Sequence, residues 1–393
     1  MKRTLFSDLH LRLQGHNYGF FKNIIDYIAE NEVAGTFYFL SNAVEGIDLS
    51  PKKKANNIHL LYLTEAENQA CVAEESILKK AKIEWQFIQK RVTENAIDRL
   101  FLMEMDTYQI EIGKHRGAFE IAGIWMRPYL RIEPINSSFK EKLRIKIWKL
   151  QKSFIMRFCL RNPQANGFYI LNDTKTTATM NTSFRDAFRY LPDPIFDYQP
   201  RPNFNIHEIY SIDNQKVTFL LFGMMEGRKN VVNILKAFQL LSPEEAKKAT
   251  LLLVGKTDPN YAADLAKALA ETKSNRPELQ IVVENRFVSN EEMECFFEQT
   301  DVSLRMNVNF FVSSGIVGMA AKYNKPSIVS DYGLVKDLIA NNELGVWAHP
   351  DDLFDIKNHI VDYLESPSKR RIEGQNFYTS HNTAAFVRTL LKN

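Results

Sequence analysis

"FGMMEGRKNVVNILKAF", Phe222 to Phe238, follows the apolar run "VTFLL". Val231, Ile234, Leu235 and Phe238 recur at i, i+3, i+4 and i+7, which predicts a helix with one apolar face beginning close to Lys229. Gly223 ends the strand and lets the chain turn. Arg228 and Lys229 therefore fall where the positive end of a helix dipole emerges, a placement that costs each exposed cation a few tenths to about 1 kcal/mol. An anion reverses that sign: a diphosphate between strand end and helix start accepts bonds from free backbone N–H groups and from Lys229. Two solvated surface cations are the other reading of the same pair.

The strand and helix rhythm continues outward. "TLLLVG", "LQIVVENRF", "DVSLRM" and "PSIVSD" alternate with helices expected over 260–272, over 290–299 and after Ser314, which makes an open, mostly parallel sheet with ligands expected at the carboxyl ends of its strands. Upstream, "RTLFSDL", "GTFYFLS", "HLLYLT", "WQFIQK", "RLFLMEM" and "IAGIWMRP" read as a second set of short strand-like runs. Pro192 and Pro194 stop any helix, and the apolar-poor "DYQPRPNFNIHEIYSIDNQK" follows. The division expected from this is 1–200, 201–375 and a last helix over 376–393.

With 45% hydrophobic and 25% charged residues in 393, the chain has the balance of a globular protein of about two domains. A net charge of +3 is too small to argue for nucleic acid, although the first 200 residues are the basic half. Cys71, Cys159 and Cys295 have no CxxC spacing and no paired His, so neither a disulfide framework nor a metal site is expected. The opening "MKRTLFSDLHLRLQGH" lacks the pattern of a secretory signal and no stretch reads as a spanning helix, so a cytoplasmic location is expected.

Residues 140–161 carry eight basic residues against one acidic one, and Leu143, Ile147, Leu150, Phe154 and Phe158 form a helical stripe. Either the stripe packs onto the sheet while the lysines face water, which is the favoured reading, or the helix lies on an anionic membrane at the inner face.

The opening segment resembles retaining, nucleotide-sugar-dependent glycosyltransferases of the two-Rossmann GT-B fold (glycosyl transferases group 1, family 4-like). Gly223, Lys229, Leu235 and Ala237 match a family pattern that continues through "LLLVG", "FVSNEEMECFFEQTDVSL" and "GMAAKYNKPSIVSDYGLVKDLI", with Ala320, Lys325, Pro326, Ser330, Asp331, Gly333 and Leu334 in place. The resemblance implies two Rossmann-like domains facing across a cleft, with a C-terminal helix crossing back to the first. It implies sugar transfer from a nucleotide-sugar donor to a saccharide or lipid-linked acceptor, in cell-surface polysaccharide or glycoconjugate synthesis, without a metal or other cofactor. Lys229 and Arg228 would stabilise the leaving phosphate. Gly223, Phe287, Val288 and the loop residues Ser313, Ser314 and Gly315 would hold the donor, the serine hydroxyls capping the helix or binding phosphate. Gly15, His16 and Arg127 would stand on the acceptor side.

The sequence departs from this family at three places. Phe311 and Met319 occupy the positions of its two glutamates, and no Glu occurs between Glu298 and Glu343. Met224 stands where the family has an arginine after the strand-end glycine, a charge that Arg228 would have to supply from a shifted position. These losses give a second reading, a catalytically weak relative that binds nucleotide or glycan as a partner subunit.

Overall fold

A computed structural model describes residues 2–12, 16–42, 47–135 and 138–392, in two units: Met1–Pro192 with Thr383–Asn393, and Asp193–Asn382. The strands are short, and the central strands Val217–Phe222, Ala249–Val254 and Val302–Arg305 of the second unit are buried almost throughout, as strands covered on both faces of a parallel sheet are, while the edge strands Ile58–Tyr62 and Gln280–Glu284 are partly exposed.

In the first unit β1 (Arg3–Asp8), β2 (Thr36–Ser41), β3 (Ile58–Tyr62), β4 (Arg99–Leu102), β5 (Glu120–Ile124), β6 (Ala165–Leu171) and β7 (Phe188–Leu191) form a parallel sheet in the order β3-β2-β1-β4-β5-β6-β7. Phe6, Phe39 and Phe101 meet across its central strands with ring centroids 5.2 and 5.3 Å from Phe6. The run "WQFIQK" is no strand: it lies within the helix Ile77–Glu94. Ala81, Trp85, Ile88 and Val92 recur at helical spacing and are all buried, a period that the six-residue window was too short to show.

In the second unit β8 (Val217–Phe222), β9 (Ala249–Val254), β10 (Gln280–Glu284), β11 (Val302–Arg305), β12 (Ser327–Ser330) and β13 (Gly345–Ala348) are parallel in the order β10-β9-β8-β11-β12-β13. The order reverses between β8 and β11, so the carboxyl ends of these two strands flank the crevice where open α/β sheets bind ligands. The helix Val231–Gln239 buries Val231, Ile234, Leu235 and Phe238, the face read from the sequence, and Phe238 meets Phe219 edge-on at 5.4 Å.

The units part at Pro192/Asp193, not at 200/201. The fully buried Glu294 is the reason: it accepts from Lys322 Nζ, from the Tyr323 hydroxyl at 2.6 Å and from the Tyr198 backbone N–H at 2.9 Å, and Lys322 also pairs with Asp197. The return to the first unit comes at Thr383, not 376, since Gln375–His381 packs on the helix Gly315–Lys322.

The helix Phe139–Cys159 opens on a Ser138/Glu141 capping box. Most of its stripe does not pack inward, contrary to the favoured expectation: Leu143, Ile147, Leu150 and Phe154 are exposed, Phe154 at 69%, while Phe158 is half-buried beside Gly113. Met156 and Cys159, on the opposite side, are what the core takes, and Trp148 packs against it. Among the described residues no helix is long and apolar enough to cross a membrane.

Candidate functional site

Gly223 leaves β8 at φ +101°, a conformation that side chains disfavour, and a Cβ built there would stand 3.1 Å from Lys229 Nζ. The ammonium of Lys229 folds back over the strand end and donates to the Phe222 carbonyl at 2.8 Å. Gly227–Lys229 forms a 3-10 turn, and Asn230, left-handed at φ +60°, then redirects the chain into the helix from Val231. Asn230 Nδ2 holds that corner by donating to the Pro350 carbonyl at 2.7 Å. The basic pair thus lies in the turn before the α-helix, not in its first turn.

Arg228 is paired with Glu226, and its guanidinium lies 5.1 Å from the centre of the Phe310 ring. Its carbonyl accepts from the Val308 N–H at 2.9 Å, which ties the loop after β8 to the loop after β11. Met224, in the place of the family's arginine, is exposed.

A buried cation near the half-buried Lys229 is one that sequence reasoning missed. Arg305 ends β11 and is 4% exposed; its Nε donates to Ser314 Oγ at 2.8 Å, its Cζ stands 4.4 Å from the Phe310 ring centre, and Nη1 is buried without a hydrogen-bond partner. The signal was an arginine closing the buried run "DVSLRM", a residue that a strand interior does not need. Burial, with the positive charges of Arg305 and Arg228 adding to it, pushes Lys229 down to about 7. Burial and Arg228 push Arg305 down to about 9. Arg228, Lys229 and Arg305 thus stand within electrostatic reach of one another at the carboxyl ends of β8 and β11, with Glu226 paired to Arg228.

Two residues beyond Arg305, Asn307 is 2% exposed with both amide atoms unpartnered, while its carbonyl accepts from Ser330 Oγ at 2.7 Å and the Tyr332 hydroxyl at 3.0 Å. The Tyr332 ring also meets Phe311 at a tilt, with centroids 5.4 Å apart. Gly333, at φ +71°, comes so close to this loop that a Cβ would stand 2.9 Å from Phe311 Cα. Phe311 and Met319, in the glutamate positions, are buried apolar side chains.

Ser314 is the N-cap residue of the helix Gly315–Lys322, but its hydroxyl makes no capping bond, the first of the two roles expected for it; it accepts from Arg305 instead. Ser313 precedes it, and Gly315 opens the helix. Val288 is buried in the core, in the cluster that Phe222 packs against, and Phe287 is exposed; both follow β10, the edge strand two places from β8. In the first unit Arg127 is exposed after β5, with its N–H donating to Asp106. Gly15 and the side chain of His16 lie outside the described residues.

Residues 203–379 match the family model for glycosyl transferases group 1. No curated protein matches the chain. Among solved structures, a sucrose-phosphate synthase from Thermosynechococcus elongatus aligns over 99% of this chain and 97% of its own with a TM-score of 0.69 at 12% identity. WaaG, a glycosyltransferase involved in lipopolysaccharide biosynthesis, aligns over 98% of each chain with a TM-score of 0.62 at 16% identity. The chain has the GT-B fold. A UDP-forming α,α-trehalose-phosphate synthase from Burkholderia vietnamiensis shares the fold of this GT-B chain over 100% of its length and 99% of the synthase's, with a TM-score of 0.68 at 9% identity. The group 1 match begins before β8 and ends within Gln375–His381, so it spans every strand of the second sheet, with the cation cluster inside it.

Proposed function

We propose that this chain is a glycosyltransferase that takes a sugar from a nucleotide-sugar donor with retention at the anomeric carbon, and that the second unit holds the donor's diphosphate beside Lys229. The observation that carries this reading is the cluster of Lys229, Arg228 and Arg305 at the switch point of the second sheet, with Glu226 paired to Arg228 and Arg305 Nη1 without a hydrogen-bond partner. Negative charge grows on the diphosphate as the bond to the anomeric carbon opens, and basic groups already positioned in a partly dry site stabilise it. The leaving phosphate can accept the acceptor's proton, so the scheme needs no separate carboxylate base. Incubating the protein with a panel of nucleotide sugars is expected to release nucleoside diphosphate, faster when a matching acceptor is present. Tight nucleotide binding without any turnover would replace this reading by that of a binding subunit, which the buried Phe311 and Met319 favour.

The acceptor is proposed to be a glycan or lipid-linked saccharide met at an anionic membrane surface, at the cytoplasmic face. The support is the helix Phe139–Cys159, most of whose apolar stripe faces solvent while Lys140, Lys142, Arg144 and Lys146, all exposed, flank it. Seating Leu143 and Phe154 in acyl chains gains roughly 1.5–3 kcal/mol each, and each nearby lysine adds about 1 kcal/mol on an anionic surface. Vesicles containing phosphatidylglycerol are expected to sediment the protein, those of phosphatidylcholine alone are not, and Leu143→Gln with Phe154→Gln should lower the partition more than about 100-fold. Equal recovery with both vesicle types removes the membrane from the proposal.

A further inference from the structure

We infer that Arg305 and Asn307, at the carboxyl end of β11, are donor-binding residues of this chain: Arg305 takes a phosphate oxygen of the nucleotide sugar and Asn307 a hydroxyl of it. This rests on the diphosphate reading above and adds to it a second wall, reached from β11 as Lys229 is reached from β8.

Arg305 lacks the surroundings of a structural arginine. A buried guanidinium kept for the fold is met by a carboxylate or a set of carbonyls, because desolvation of an unpaired charge is costly. Arg305 instead has a neutral hydroxyl on Nε, an aromatic face against its plane and an unpartnered Nη1, and the charges acting on it include that of Arg228, which repels it. Glu226, the carboxylate within electrostatic reach, is already paired with Arg228. Ser314 gives up its capping bond to hold Arg305, so the fold spends a helix cap on orienting an unneutralised cation.

Asn307 repeats the pattern. Two hydrogen bonds to its carbonyl fix its backbone, yet its side-chain amide, one acceptor and one two-proton donor group, is buried and unfilled. A hydroxyl, which both donates and accepts, matches such an amide. It supplies polar contact to the donor where Phe311 and Met319 supply none.

Phe310 lies against both guanidiniums, at 4.4 Å from Arg305 and 5.1 Å from Arg228. An anion that competes for those cations displaces the ring, which opens the 4% exposed Arg305 to the ligand.

The test is calorimetric titration of the full chain with UDP, GDP, ADP and the corresponding nucleosides, for wild type, Arg305→Met and Arg305→Lys, with thermal midpoints of the ligand-free proteins. The expected result is that the best-binding diphosphate loses at least about 30-fold with Arg305→Met, that Arg305→Lys loses about 10-fold for the diphosphate and nothing for its nucleoside, and that the ligand-free methionine variant melts no lower than wild type. Unchanged diphosphate affinity in a folded Arg305→Met, or a lower ligand-free midpoint, overturns the inference while leaving the diphosphate reading intact. Should the methionine variant not fold, the lysine variant decides alone, and equal losses for diphosphate and nucleoside count against Arg305. If wild type binds none of the three diphosphates, the diphosphate reading fails and the inference with it.

Discussion

Replacing Lys229 by Met is expected to weaken nucleoside-diphosphate binding about 100-fold and to slow sugar transfer by a further 10 to 100-fold, because a preset donor beside a developing anion is worth more at the transition state than in the ground state. The same change should stabilise the free protein. Lys229 titrates near 7 in the fold, against 10.5 for a free lysine, so between those values the unfolded chain binds more protons and stability rises with pH. Below pH 7 the fold carries the full cost of a charged, repelled ammonium; toward pH 10.5 that cost disappears. The gain in Tm from Lys229→Met is therefore expected to be largest at pH 6 and to vanish by about pH 10. Diphosphate reverses the balance by restoring a counter-charge, so at pH 8 binding should take up roughly one proton, read as a difference in titration heat between buffers of unlike ionisation enthalpy. Affinity unchanged in Lys229→Met would remove this side chain from the site.

What the sequence made legible was what local spacing determines. The helix Val231–Gln239 and the turn at Gly223 follow from i, i+3, i+4, i+7 periodicity and from a backbone angle that glycine accepts most readily. What stayed hidden depends on partners far along the chain. Arg305 read as the tail of a strand because the Ser314 hydroxyl and the Phe310 ring that hold it lie across a loop. Ser314 read as a helix cap or a phosphate ligand for the same reason. The stripe on Phe139–Cys159 carries helical periodicity whichever side faces the core, and only packing tells that Met156 and Cys159 are turned inward while Leu143 and Phe154 are not. The apolar-poor stretch that opens at Asp197 looks like linker by composition, yet Glu294, nearly a hundred positions later, fastens Tyr198 to the second unit.

Ending the chain at Asn382 is expected to unfold the first unit and leave the second folded. The helix Thr383–Leu391 is sequence-distant from the first unit but part of its core: Phe386, Val387 and Leu390 are fully buried, and Phe386 stacks on Phe20 of the helix His16–Glu30 at 5.4 Å. Removing three such side chains forfeits roughly 5–9 kcal/mol by area bookkeeping, an upper figure because unfolded chains bury some of that surface already. The loss extends to charge. Arg99, 3% exposed in β4, donates through Nη1 to the Leu390 carbonyl at 3.1 Å, and truncation leaves that guanidinium facing a cavity. A domain is stable by only about 5–15 kcal/mol, so the combined deficit is of the size of the whole stability. The second unit keeps its sheet, its core and the Glu294 network, because all of them lie within 193–382. Hydrogen exchange reads the two units separately: in the truncated protein amides of β1, β2 and β4 should lose protection while those of β8, β9 and β11 retain it. Phe386→Ala, with an expected cost of about 3–5 kcal/mol, is the milder version and should lower the first unit's transition alone. Retained protection throughout β1 to β4 after truncation would show that the last helix contributes little to that core, and that its fully buried side chains overstate what holds the unit together.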